Sequence, residues 1–150
     1  MATQLINPNP NVSCTPGECL VYVQATFSIA AKYPTAAAAW QASTHQHADQ
    51  NFPTDVWLPV WFSLQDNPDG HVVLRQPDGS IWSASSPTDT TPVHHASLND
   101  LESYYRGKLT YLGWTEDVED VPVISLAAVP VETAEERMLA TDAAIGSDWV

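Results

Sequence analysis

Between residues 18 and 85 the spacing of apolar side chains changes from a helical repeat to a strand repeat, and this switch restricts the available folds more than any other feature. From Glu18 to about Ala31, Leu20, Val23, Phe27 and Ala30 or Ala31 recur three and four apart, which predicts a helix with one apolar stripe. Pro34-Thr35 closes it and opens a second, short helix from Thr35 to about Ser43, followed by a polar loop from His45 to Pro53. Val56 to Leu64 is then rich in Val, Trp and Phe, a strand signal, bounded by the turn-forming Asp66-Asn67-Pro68-Asp69-Gly70. His71 to Arg75 reads as a second strand, Pro77-Asp78-Gly79 as a hairpin turn, and Ser80 to Ser85 as the strand that pairs back. After a Ser/Thr/Pro loop from Ser86 to Pro92, Ser97-Leu98-Asn99-Asp100 predicts a capped helix through about Arg106. Leu109 to Trp114 and Val121 to Leu126 are two more short strands, and Thr133 to about Ala144 a last helix. Helices first, then antiparallel strands with one helix inserted, make an α+β fold.

The chain of 150 residues is one domain in size and, with 44% hydrophobic residues, has the material for a core. Its 18 acids against 5 Lys and Arg argue against nucleic acid and against an anionic bilayer as partners. No apolar run reaches the length of about 20 residues that would insert in a membrane. Met1 to Val12 is polar, carries Pro8 and Pro10 and has no basic start, so it does not read as a secretory signal, and a reducing cytoplasm is expected. The Asn11-Val12-Ser13 sequon is then idle. Half of the acids lie beyond Trp114: residues 1–114 hold nine acids and four bases, residues 115–150 nine acids and one base. The expected organisation is an arm over 1–13, a domain over 14–126, and an acidic, partly helical tail over 127–150.

Cys14 and Cys19 are too few for a disulfide framework and read as free thiols. Pro16-Gly17-Glu18-Cys19 puts Cys19 in the first turn of the first helix, where free backbone N–H groups and the positive helix end favour thiolate, the nucleophilic form. The alternative is a small buried hydrophobe. A cysteine nucleophile needs a base, and His71 follows a turn at a strand start, where its imidazole can meet a helix N-terminus packed on the sheet. If the hairpin turns around Pro77-Asp78-Gly79, Ser83 falls close to opposite His71 and is the candidate to orient it. Trp57 and Trp61 share a strand face; such residues line a core or a substrate groove.

Gly17-Glu18-Cys19-Leu20-Val21-Tyr22 resembles the Gly-x-Cys-x-x-Tyr nucleophile motif of CHAP and NlpC/P60 cysteine peptidases. Gly70-His71-Val72-Val73 and Asp78-Gly79-Ser80-Ile81-Trp82-Ser83 are similar to their histidine strand and the strand after it, and Val56 to Phe62 fits the strand before. The nearer likeness is to cell-wall hydrolase modules of bacteriophage endolysins acting on Gram-positive, especially actinobacterial, hosts, and it spans about Cys14 to Ile124. The resemblance implies a papain-like fold and a peptidoglycan hydrolase, either an endopeptidase or an N-acetylmuramoyl-L-alanine amidase. It implies Cys19 as nucleophile, His71 as base and then acid, and Ser83 in the third position, where the family usually has His, Asn, Gln, Glu or Asp. Asp66, Asp69 and Asp78 are nearby alternatives for that position, and Trp57, Trp61 and Tyr22 are the expected substrate-binding residues. No cofactor or metal is implied. Such a protein waits in the host cytoplasm until lysis and then acts at the wall, with a separate wall-binding subunit as a possible partner.

Two other readings compete. A papain-like module lacking a strong third residue is a catalytically dead binding or virion component. His45, His47, His94 and His95 together with a carboxylate are a candidate zinc site, although no helical His-Glu-x-x-His is present. Asp66 to Gly70 only superficially suggests a calcium loop, lacking its alternating ligands.

Overall fold

The computed structural model describes residues 2–126; the acidic tail and the helix expected at Thr133 lie outside the described residues. In chain order the elements are β1 (Thr3–Gln4), α1 (Cys19–Phe27), α2 (Ala36–Ala42), β2 (Gln46–His47), β3 (Leu58–Leu64), β4 (Asn67–Arg75) and β5 (Ile81–Ser83). There follow β6 (Val93–His95), α3 (Leu98–Tyr104), β7 (Leu109–Thr115), β8 (Asp117–Val118), β9 (Val121–Pro122) and β10 (Ile124–Ser125). The fold is mixed helix and sheet, with six strands in the order β2-β7-β3-β4-β5-β6, every neighbouring pair antiparallel.

β3 and β4 form the centre, and Leu58, Val60, Trp61, Phe62, Val72, Val73 and Leu74 are all buried, so both faces of the sheet are covered. On one face Trp40 of α2 meets Trp61, ring centroids 6.3 Å apart. On the other, Tyr104 and Tyr105 at the end of α3 meet His95 at 5.1 Å and His71 at 4.9 Å. α1 packs on β4 and β5.

Several predicted boundaries move. α1 stops at Phe27 rather than near Ala31 because Ser28 turns left-handed (φ 57°) and the Ile29 N–H closes back on the Gln24 carbonyl at 2.9 Å. The chain beyond is held instead by the Glu119 carboxylate, which accepts the backbone N–H groups of Lys32 and Tyr33. The turn expected over Asp66 to Gly70 is confined to Gln65 and Asp66, the latter at φ 65°. Asn67 to Gly70 belongs to β4, as a bulge in its pairing with β3. Two edge strands, β2 and β6, occupy segments without a strand pattern, and Val121 to Leu126 divides between β9 and β10. The predicted cap at Ser97 holds, its Oγ accepting from the Asp100 N–H at 3.1 Å, and Thr35 Oγ1 caps α2 in the same way, accepting from the Ala38 N–H at 3.1 Å.

The N-terminal arm packs against the body. β1 pairs with β10, the Leu5 N–H donates to the Val123 carbonyl at 2.8 Å, and the Asn9 N–H to that of Thr26 at 2.8 Å. Gln4 is clamped around Trp57, accepting its N–H at 2.7 Å and donating to its carbonyl at 3.0 Å.

Candidate active site

Cys19 is the first residue of α1, and the backbone N–H groups of Val72, Leu20 and Cys19 itself face its sulphur. Those donors favour thiolate, but burial outweighs them and, with Asp69 adding to it, pushes the thiol above its ordinary value. His71 lies on β4 opposite Phe62 of β3, and 4% of its surface is exposed. Burial first, and the neighbouring His95 second, lower its pKa to about 4. Near neutral pH the two groups therefore rest as thiol and neutral imidazole rather than as an ion pair.

Cys19 and His71 line one cavity of about 210 Å³, together with Gly17, Ser85, Pro87 and Tyr105. A second hollow of about 330 Å³ adjoins the first, sharing Gly17, Cys19, Asn67 and Gly70, and extends along Glu18, Thr35 and Asp69. The nucleophile candidate thus stands between two depressions, as a chain laid across it from both sides would require. Gly70 makes this approach possible: at φ 73° it brings β4 so close to α2 that a Cβ would lie 3.2 Å from the Ala37 nitrogen.

The register corrects the placing of Ser83. β5 pairs Trp82 with Leu74 and Ile81 with Arg75 about a turn centred on Asp78, so continuing the ladder puts Ser83 opposite Val73 and Ser85 opposite His71. No hydrogen bond joins Ser83 to His71. The buried Ser83 hydroxyl pairs with that of Ser85 and, at 3.2 Å, with His95 Nε2. Ser85 in turn accepts from the Tyr105 hydroxyl at 3.1 Å. His71 Nε2, the nitrogen a third residue would hold, is buried without a partner among the described residues. Sequence reasoning passed over Ser85 because it sits at the mouth of a Ser/Thr/Pro stretch, although the expected turn, centred on Asp78, already puts Ser85 rather than Ser83 across from His71 when the ladder is continued.

The aromatic candidates do not gather here. Trp61 and Tyr22 are 1% exposed and belong to the core, where the Trp61 indole N–H donates to Thr115 Oγ1 at 2.9 Å and the Tyr22 hydroxyl to the Pro10 carbonyl at 2.8 Å. Trp57 sits under Gln4 and is not among the residues lining either hollow. Cys14 is a buried free thiol, raised by burial and by Asp89, with its backbone N–H on the Thr90 carbonyl. Asp66 and Asp69 lie in or beside the β3–β4 turn, and Asp78 is spent on the Ser80 N–H and hydroxyl.

The histidine quartet is split. His47 of β2 stacks on Trp114 at 3.9 Å and meets Glu116 at 2.8 Å, while His94 of β6 stacks on Trp82 at 4.1 Å. β2 and β6 are opposite edges of the six-stranded sheet, about 24 Å apart at the usual strand spacing, so the four cannot bind one ion. Among the described residues no three His, Cys, Asp or Glu are grouped to hold a metal. Comparison of the chain with protein-family models, with curated proteins and with solved structures finds no match.

Proposed function

We propose that this protein is a cysteine hydrolase that cleaves an amide bond in the peptide part of bacterial peptidoglycan, in the manner of a phage endolysin. One observation carries the hydrolase part: a cysteine at a helix N-terminus and a strand histidine, 52 positions apart in the sequence, line the same small cavity. The papain-like NlpC/P60 fold and the wall substrate rest on the likeness of the Cys19 and His71 segments to that family. In the proposed reaction His71 takes the Cys19 proton as sulphur attacks the carbonyl carbon, because neither group is charged at rest. The backbone N–H of Cys19 stabilises the tetrahedral oxyanion. The carbon–nitrogen bond then breaks and His71 returns its proton to the leaving amine. Water, deprotonated by His71, next attacks the thioester; the carbon–sulphur bond breaks, the acid leaves, and His71 gives the proton back to the Cys19 sulphur. The acidic body is repelled by an anionic wall, so binding falls to the hollows beside Cys19 or to a wall-binding subunit.

A second reading has its own observation. The unpartnered His71 Nε2 and the raised thiol fit a papain-like module that binds without catalysing. Digestion of purified actinobacterial and other Gram-positive sacculi, with mass spectrometry of the soluble products, separates the two. Peptide fragments or freed lactoyl ends support the hydrolase and identify the bond. Intact sacculi that nonetheless sediment with the protein support the binding module.

A further inference from the structure

His71 requires something to hold the nitrogen that faces away from Cys19. Nε2 is the ring nitrogen buried without a partner among the described residues, which makes it the one in want of a holder and leaves Nδ1 to take the proton. Ser85 lines the same cavity as His71 and is the second member of an unbroken polar chain: the Tyr105 hydroxyl on Ser85, Ser85 with Ser83, Ser83 with His95 Nε2. Ser83, Ser85 and His95 are all buried, so they satisfy one another rather than water.

The protons in this chain can be counted. Tyr105 spends its hydroxyl proton on Ser85. Each serine has one proton and two lone pairs. If His95 Nε2 is bare, Ser83 donates to it and Ser85 donates to Ser83; Ser85 then keeps one lone pair free. If His95 Nε2 carries hydrogen, the direction reverses, Ser85 accepts twice, and its own proton is left over. The first arrangement offers His71 Nε2–H an acceptor and keeps Nδ1 bare, able to deprotonate Cys19. The second offers Nε2 a donor and drives the hydrogen onto Nδ1, where it blocks the base.

Building on the hydrolase reading, we propose that Ser85 is the positioning residue for His71, and that the hydrogen on His95, relayed through Ser83, sets whether His71 can act as a base. The Ser85–Nε2 bond is absent at rest and forms as substrate fills the cavity, in the way catalytic hydrogen bonds commonly tighten on binding. The relay is pH-sensitive at His95, which is faced by His94 on its own strand, Asp100 and the Tyr104 ring from α3, and His71 across the sheet. A protonated His95 can only donate, so acid closes the relay.

Nitrogen-15 NMR of the imidazoles, on the wild-type protein with a muropeptide product filling the cavity, tests the relay without requiring turnover. The expected result at neutral pH is His71 as the Nε2–H tautomer and His95 as the Nδ1–H tautomer; His71 as Nδ1–H with His95 as Nδ1–H overturns the proposal. Kinetics on soluble muropeptides add a second arm. Ser85→Ala should lower kcat about ten-fold or more with KM little changed, and Ser85→Thr should restore most of it. The acid limb of kcat should shift in His95→Phe. Equal losses in the Ala and Thr variants, or an unmoved acid limb, overturn the relay. Absence of turnover in wild type with the expected tautomers instead refutes the hydrolase reading and leaves the relay standing.

Discussion

Protonating His71 in the folded protein should be costly, and the cost can be worked out. The ring is buried among Phe62, Tyr105 and the sheet, and its pKa falls from 6.5 to about 4, burial being the main cause and His95 the lesser one. In the unfolded chain the same ring titrates near its ordinary value. Between those two values the unfolded state binds more protons, so stability rises with pH across that window. The contribution is complete above the unfolded value and is lost by the time pH falls through the folded one. A shift of this size corresponds to about 3 kcal/mol. Urea unfolding at about pH 7 and about pH 4.5, on wild type and His71→Phe, isolates it; carboxylate protonation acts on both proteins and subtracts out. For a urea dependence of about 2 kcal/mol per molar, the wild-type midpoint should fall about 1 M further than the variant's on acidification. Parallel midpoints in the two proteins would refute the reasoning and mean that the imidazole is solvated.

The core and the caps give further expectations. Thr115 Oγ1 accepts from the Trp61 indole and donates to the Asp117 carbonyl at 2.7 Å, so Thr115→Val strands a buried N–H and should cost about 1–3 kcal/mol, read as a fall in Tm. Gly113 sits at φ 151° where a Cβ would strike the His47 carbonyl and come within 2.8 Å of the Trp40 ring. Gly113→Ala should therefore cost about 3 kcal/mol and release β2, seen as faster hydrogen exchange at Gln46 and His47. Ser97→Ala removes the cap of α3 and should cost about 1 kcal/mol in urea unfolding.

What could be read from the chain alone followed the strength of local signals. The α2 and α3 starts were legible because Thr35 and Ser97 are side-chain caps followed directly by helical residues. The central strands were legible because Val56 to Leu64 is rich in Val, Trp and Phe and Val72-Val73-Leu74 is a compact β-branched and apolar run beside turn residues. β2 and β6, two and three residues long, carry no period and exist only because β7 and β5 offer them an edge. The Asn67 to Gly70 segment has the composition of a turn, yet tertiary packing draws it into β4, with Gly70 pressed between Phe62 and Ala37. In the site, Cys19 was recognisable from sequence because it opens a helix, whereas His71, expected to open a strand after a turn, is the fifth residue of β4. Ser85 was not recognisable, since it lies past the end of β5 in a Ser/Thr/Pro stretch, and only tertiary packing brings it to the cavity that His71 lines. Trp61 and Tyr22 illustrate the same limit: an aromatic residue on a strand or helix looks alike in a groove and in a core, and only the packing of α2 and the arm decides.

The most direct test of the central claim is to trap the acyl-enzyme. Rapid acid quench of the protein mixed with soluble muropeptides, followed by intact-mass and tandem mass spectrometry, should reveal a thioester adduct mapped to Cys19, retained in Cys14→Ala and absent in Cys19→Ala. An adduct on Cys14, or product formation undiminished in Cys19→Ala, would contradict the account.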